Sequence, residues 1–238
     1  MNESYDTVFI TGASRGLGLA LSELFLEQGH RVFAGYLSSA TGLSDLQERY
    51  GERLCAVKID VSDPASVRAA VTEVKRHTDT LDLLVNNAGV HLEGERVPFE
   101  QLDFGDGHLE ATMAVNAFGL LRVTQAFLEL LEVGAYKRIV NITSEAGSIG
   151  ACTRDREFAY CMSKSAANMA TKLLHNNLSP RGFTVLAVHP GWIQTDMGGP
   201  AADLTPVEAA ADVVSVITGD AADYESIYFD HTGAAWPW

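Results

Sequence analysis

The chain has 238 residues, 47% of them hydrophobic and 20% charged, which is enough apolar material for one large α/β core and too much for a disordered or fibrous chain. Seventeen Lys and Arg stand against 31 Asp and Glu, and the net charge of −14 repels phosphate backbones and anionic bilayers, so neither nucleic acid nor membrane is expected as a partner. Three cysteines, Cys55, Cys152 and Cys161, are an odd number without CxxC or Cys/His spacing, which argues against a disulfide framework and a zinc site, and no metal is expected. The amino terminus has no basic and apolar leader pattern and no run approaches about 18 apolar residues, so a cytoplasmic protein is expected.

In chain order, short β-branched or aromatic runs occur at Thr7–Ile10, Arg31–Phe33, Leu54–Ile59, Leu81–Val85, Arg138–Ile142, Thr184–Val188 and Ile227–Phe229, with helical patterns between most of them. Several are apolar on successive residues, as parallel strands covered on both faces must be. The expected fold is α/β: a single-domain Rossmann-type doubly wound sheet of about seven parallel strands with helices on both faces, over residues 1–238, since no linker or repeat divides the chain. The irregular stretches Val90–Gly107 and Asp196–Pro206 should emerge at the carboxyl edge of that sheet, where ligands bind.

Thr11-Gly-Ala-Ser-Arg-Gly-Leu-Gly18 follows the first strand and opens an amphipathic helical pattern. There Gly12 permits a tight exit from the strand, Gly16 lets backbone approach a pyrophosphate, and Gly18 lets helix and sheet pack closely, with helix amides facing the anion. On this segment alone a glycine-rich turn that binds nothing stays open. The spacing is GxxxGxG, neither GxGxxG nor a Walker loop.

Together with Asn86-Asn-Ala-Gly89, Ser144, Tyr160-Cys-Met-Ser-Lys164 and His189-Pro-Gly-Trp-Ile-Gln-Thr195, that turn resembles the short-chain dehydrogenase/reductase family. The Leu-x-x-His-Pro-Gly-Trp-x-x-Thr-Asp-Met-Gly-Gly run and the Asp230–Trp238 tail resemble its carbonyl-reductase-like branch, which includes sniffer and the bacterial C-factor. The resemblance implies that Gly12, Ser14, Arg15, Gly16 and Leu17 line the cofactor phosphates and adjoining ribose. Asp60 and Val61 would meet the adenine, and Asn87, Ala88 and Gly89 would pass beneath its ribose. Pro190, Gly191, Ile193 and Thr195 would hold the nicotinamide, Tyr160 and Lys164 its ribose. Taken singly, Asp60 and Asn87 are equally well strand-end turn formers. The resemblance also implies a homodimer or homotetramer.

Tyr160 and Lys164 are four residues apart on a predicted helix, so both heads lie on one face. Reducing a carbonyl by hydride needs a proton at the new alkoxide, and a free phenol with pKa about 10 needs tuning to serve. A lysine ammonium about 4 Å away at an effective dielectric near 20 supplies about 4 kcal/mol, the size needed to lower that pKa by about three units. Ser144 can donate and accept at a substrate oxygen. Asn116, in Ala114-Val-Asn-Ala-Phe-Gly119, matches the family's anchor of a water-mediated proton relay. The expected catalytic set is Asn116, Ser144, Tyr160 and Lys164.

After the second strand the chain reads Ala34-Gly-Tyr-Leu-Ser-Ser39, with no carboxylate to grip an adenosine 2′-hydroxyl. Arg15 fits NADP, with Ser38 and Ser39 as further phosphate donors; NADP is the expected cofactor and NAD the alternative. Glu145 and the Arg154–Glu157 cluster read as solvated loop charges. The expected activity is an NADP-dependent oxidoreductase acting on a carbonyl or secondary alcohol. The alternatives are an NAD(P)-binding signalling protein of the C-factor type and, against the Tyr/Lys pair, a methyltransferase. The stretch Met197–Pro206, small and apolar apart from Asp203, reads as a lid that favours small neutral substrates over anions.

Overall fold

The computed structural model describes residues 7–93, 97–219 and 226–238. Seven strands form one sheet: β1 (Thr7–Ile10), β2 (Arg31–Tyr36), β3 (Leu54–Lys58), β4 (Leu83–Asn86), β5 (Arg138–Ile142), β6 (Thr184–His189) and β7 (Tyr228–Asp230). Their order is β3-β2-β1-β4-β5-β6-β7, and every pairing is parallel. All seven expected strands are present. The fourth begins two residues later than expected, because the amide of Leu81 donates instead to the Leu130 carbonyl at 3.0 Å.

Alternate side chains of each strand feed two cores. Val8 and Ile10 of β1 join Val32, Val85, Val140 and Leu186 against α1 (Gly16–Glu27) and α7 (Pro206–Thr218). Phe9 points the other way and joins Phe33, Leu84, Ile139 and Val185 against α3 (Pro64–Val74) and α5 (Phe118–Val133). The remaining helices are α2 (Ser44–Tyr50), α4 (His108–Asn116) and α6 (Phe158–Leu178), the last packed on β6. Each fully buried Leu or Phe contributes about 1.5–3 kcal/mol of transfer free energy, so burial on both faces dominates the stability of the sheet.

Local signals set the helix starts. Asp63 accepts from the amides of Ala65 and Ser66 with Pro64 opening α3, and Thr205 and Glu208 form a reciprocal capping box with Pro206 opening α7. The run His108–Val133 has the length and mean hydropathy of a membrane span, but Glu110, Arg122, Glu129 and Glu132 interrupt it, so it holds no unbroken run of about 18 apolar residues. Half of it is buried, and it is two helices, α4 and α5, that pack inside the molecule.

Two features aim the fold at one edge. The sheet order reverses between β1 and β4, so their following loops part and leave a crevice at the carboxyl ends. Beside it, the buried Asn86 side chain donates to Asn141 Oδ1 at 2.8 Å and Thr124 Oγ1 at 3.1 Å, and Asn141 donates to Thr171 Oγ1 at 2.9 Å. This chain ties β4, β5, α5 and α6 together just beneath the crevice.

Candidate active site

The crevice holds a cleft of about 1230 Å³, larger than the roughly 300–1,000 Å³ of an ordinary small-molecule pocket. The glycine turn forms its outer floor. Gly12 has φ +67°, and a Cβ at Gly18 would lie 2.3 Å from the Gly12 carbonyl oxygen and 2.5 Å from Asn87 Nδ2, so neither position accepts a side chain. No side chain caps α1, whose N-cap residue is Arg15, so its first amides are left for a ligand. Gly12, Ser14, Arg15, Gly16 and Leu17 all line the cleft. Arg15 is ion-paired with Asp196 across its mouth.

Asp60 and Val61 also line the cleft, with Asp60 Oδ1 accepting from the Ser62 amide at 2.8 Å and hydroxyl at 2.6 Å. Asn87 braces the sheet centre: its Nδ2 donates to the carbonyls of Thr11 at 2.9 Å and Gly12 at 3.1 Å. Ala88 and Gly89 follow along the cleft wall. Pro190, Gly191, Ile193 and Thr195 form the opposite wall, with Thr195 Cγ2 only 3.1 Å from where a Gly16 Cβ would stand. Ser38 faces the cleft, whereas Ser39 does not line it. Its hydroxyl is bound to Thr41 Oγ1 at 2.7 Å, which corrects its expected role as a phosphate donor.

Ser144, Tyr160 and Lys164 meet at the inner end. Ser144 follows β5; its hydroxyl accepts from the Ala146 amide at 3.1 Å, and its carbonyl accepts from the buried Tyr228 hydroxyl at 2.7 Å. Lys164 donates to the Ile142 carbonyl at 3.0 Å and stands 5.7 Å from the centre of the Tyr160 ring. Burial pushes the Tyr160 phenol up to about 12; hydrogen bonding to Ser144 and the charge of Arg154 oppose the rise, and Glu145 and Glu157 add to it. Burial lowers the Lys164 ammonium to about 8. The expected lowering of the phenol by Lys164 is therefore corrected, since desolvation outweighs the local charges.

Asn116 is buried at the end of α4, with Oδ1 accepting from the Val90 amide and Nδ2 donating to the Val90 carbonyl, both at 2.8 Å, and to Ser163 Oγ at 3.0 Å. Its side chain braces the loop after Gly89. Arg154 pairs with Glu145 and Glu157, and all three line the cleft, which corrects their reading as solvated loop charges, whereas Asp155 and Arg156 pair with each other as solvated charges, as expected. Met197 to Ala201 and Asp203 line the same cleft. That stretch is pinned by Trp192 Nε1 to the Gly198 carbonyl at 2.9 Å and Gln194 Nε2 to the Ala202 carbonyl at 3.0 Å.

Sequence reasoning missed His91, whose ring lies 4.8 Å from that of Tyr160, and Glu93, buried against the start of α6. It also missed His189 and His231 as cleft-lining groups. The tail was noticed, but not its placement: Trp236 packs on His189 and Trp238 on Tyr228, with the Trp238 carbonyl accepting from the Gly150 amide at 2.7 Å.

Residues 6–204 match the model of the short chain dehydrogenase family. The chain belongs to the short-chain dehydrogenase/reductase family. It is 40% identical over 172 residues to the C-signal of Myxococcus xanthus, covering 72% of this chain and all of that one. An uncharacterized oxidoreductase of Schizosaccharomyces pombe is 30% identical over 258 residues, with both chains fully covered. Among solved structures, the carbonyl reductase Sniffer of D. melanogaster superposes with a TM-score of 0.89 at 28% identity, covering 98% of this chain and 100% of that one. The NADPH-bound carbonyl reductase from chicken fatty liver does so with a TM-score of 0.87 at 29% identity, covering 98% and 99%. This short-chain dehydrogenase/reductase is thus an oxidoreductase with the doubly wound sheet of carbonyl reductases.

Proposed function

We propose that the protein is an NADP-dependent oxidoreductase that moves a hydride between the nicotinamide and a small neutral carbonyl compound or secondary alcohol, with Tyr160 giving or taking the proton. The observation that carries this reading is the meeting of Ser144, Tyr160 and Lys164 at the inner end of a cleft floored by an uncapped, glycine-lined helix start.

The residues present fit a dinucleotide. The free amides of α1 with Gly12, Ser14, Arg15, Gly16 and Leu17 suit the phosphates, and Asp60 and Val61 the adenine. Asn87, Ala88 and Gly89 would flank its ribose; Tyr160 and Lys164 would hold the second ribose, and Pro190, Gly191, Ile193 and Thr195 the nicotinamide. When bound, NADP(H) supplies or accepts the hydride. The absence of a carboxylate after β2, together with Arg15 and Ser38 on the cleft, favours NADP over NAD.

Ser144 Oγ orients the substrate oxygen and donates to it as charge develops. The Tyr160 phenol, protonated at neutral pH, delivers its proton to the alkoxide, a stronger base than the phenolate it leaves behind. Lys164, cationic below about 8 and 5.7 Å from the ring centre, lessens the cost of that phenolate without bringing the phenol into the neutral range. Asn116 holds Val90 in place and anchors water that returns a proton toward Lys164.

Neutral substrates follow from the cleft's charges. Arg154, which lines the cleft, is paired with two carboxylates, and Asp203 on the lid stretch lines the same cleft and adds a third, so an anionic substrate meets net repulsion. We further infer one catalytic domain across 1–238, a homodimer or homotetramer, and a reducing, cytoplasmic setting suited to three free cysteines. The likeness to C-signal favours a second reading, a nucleotide-binding signalling protein; a tyrosine backed by the buried Lys164 is surplus to that role.

Oxidation of NADPH and NADH in the presence of matched neutral and carboxylated aldehydes and ketones tests the proposal. Turnover is expected with NADPH and neutral compounds, and Tyr160→Phe should lose at least about 100-fold in kcat while keeping NADPH affinity. A Phe variant within about tenfold of wild type, about 1.4 kcal/mol, overturns the proton assignment.

A further inference from the structure

We propose that Glu93 is a positioning residue for this reaction: its buried carboxylate latches the loop between β4 and α4 onto the first turn of α6 and thereby fixes where the Tyr160 phenol stands. The inference rests on the reading of Tyr160 as proton donor.

Helix α6 starts without a cap of its own. Glu157, which precedes it, has φ +62°, a left-handed conformation uncommon outside glycine, and makes no side-chain capping bond. Its carboxylate is turned to Arg154 instead. The cap comes from 65 residues earlier in the chain. Glu93 Oε1 accepts from the Phe158 amide at 2.7 Å, and Oε2 accepts from the amides of Ala159 at 2.7 Å and Tyr160 at 3.3 Å. The residue is 9% exposed. Charge-assisted bonds are roughly twice as strong as neutral ones, and a carboxylate at a helix start also gains from the helix dipole.

The geometry makes this latch matter for chemistry. Tyr160 is the third residue of α6, and helical side chains lean toward the helix start, so a tilt of the first turn carries the phenol with it. At its other end, Glu93 is four residues beyond Gly89, in a loop held at Val90 by both arms of Asn116. His91 on the same loop contacts the Tyr160 ring, and Phe99 lies 5.4 Å from Phe158. Among the described residues, the Glu93 carboxylate is the contact between this loop and the helix start that is buried, charged and directional. Water could satisfy the three amides in its place, but it would not hold the helix to the loop.

The test uses full-length Glu93→Ala and Glu93→Gln. For Ala, kcat for carbonyl reduction should fall about 100-fold, the cost of a displacement of about 1 Å at a reacting group, while the Kd for NADPH stays within about twofold. For Gln the loss should be smaller, because its carbonyl oxygen still accepts while its amide nitrogen faces a donor. A loss in kcat below about tenfold for Ala, or a lowered Tm with kcat retained, overturns the proposal by making Glu93 a cap and nothing more. If Ala does not fold, the Gln variant decides by the same split of kcat against cofactor Kd. If the wild-type protein reduces no carbonyl compound, the reading of the reaction fails separately. Amide hydrogen exchange then decides the latch: Phe158–Tyr160 should exchange at least about tenfold faster in Ala while Ala170–Leu178 is unchanged, and equal exchange overturns it.

Discussion

Tyr160 and Lys164 stand one helical turn apart, and burial shifts both toward their neutral forms, the phenol up to about 12 and the ammonium down to about 8. The phenol is therefore available as a donor throughout the neutral range, while Lys164 beside it loses its charge near 8. Carbonyl reduction should be flat to about pH 7 and fall with a midpoint near 8, as rising pH strips the lysine of its charge. In Lys164→Arg the guanidinium keeps its proton, so the fall should vanish up to about pH 10 at a lower plateau. A wild-type limb that persists unmoved in the Arg variant would assign it elsewhere. Arg15 carries the second prediction at this scale. Its pair with Asp196 has side chains 73% and 78% exposed, and such a pair contributes about 1 kcal/mol at most, so Arg15 can turn to a 2′-phosphate at little cost. Arg15→Ala should weaken NADPH about 10- to 150-fold, the equivalent of about 1.5–3 kcal/mol, and NADH far less. Titration of both nucleotides checks it, and equal losses would place Arg15 on the shared pyrophosphate. The Tyr160 to Lys164 spacing was legible in the sequence because helical period alone sets it. The electrostatics were not, because they depend on where Lys164 points, and it points at the Ile142 carbonyl.

Strands and glycine turns were legible for a comparable reason. Buried parallel strands must be apolar on successive residues, and the turn at Gly12 and Gly18 admits no side chain, so both leave local marks. Outer helix faces leave weaker ones. On α5, Phe118 and Leu121 are exposed, and on α6 Met162, Met169 and Leu173 form a second apolar stripe, 37–61% exposed in all. Leu174 and Leu178 of α6 and Leu121 and Leu128 of α5 share one hollow, so the two helices present a continuous face. Pairing that face with its copy about a two-fold axis would bury both stripes, the geometry of an isologous dimer. Leu173→Glu puts one carboxylate on each copy of that face, two across the axis, and should convert a dimer to a monomer of 25.6 kDa, read by light scattering. An unchanged oligomer would move the interface elsewhere.

Across the whole molecule, the contacts that finish the site join distant parts of the chain: Glu93 to the start of α6, the Tyr228 hydroxyl to the Ser144 carbonyl 84 residues away, and Trp236 to His189. None has a periodic or spacing signature, which is why the sequence revealed the cleft's walls but not its braces. One of these braces couples the site to global stability. His189 ends β6 with Trp236 packed on its ring and Nδ1 buried without a hydrogen-bond partner among the described residues, and burial lowers its pKa to about 4 from about 6.5. The folded state therefore holds the neutral ring while the unfolded chain takes up a proton as pH drops below about 6.5. Between about 6.5 and 4 the unfolded state binds more protons, so stability falls with falling pH and levels off below 4. Linkage through these two pKa values gives a loss of about 2 kcal/mol between pH 7 and pH 5 from this residue. Urea unfolding of wild type and His189→Asn at both pH values measures it. The variant should start less stable at pH 7, having lost the stack with Trp236, yet lose about 2 kcal/mol less on going to pH 5. Parallel slopes in the two proteins would mean that the ring is protonated in the fold and that the tail closes over a charged site.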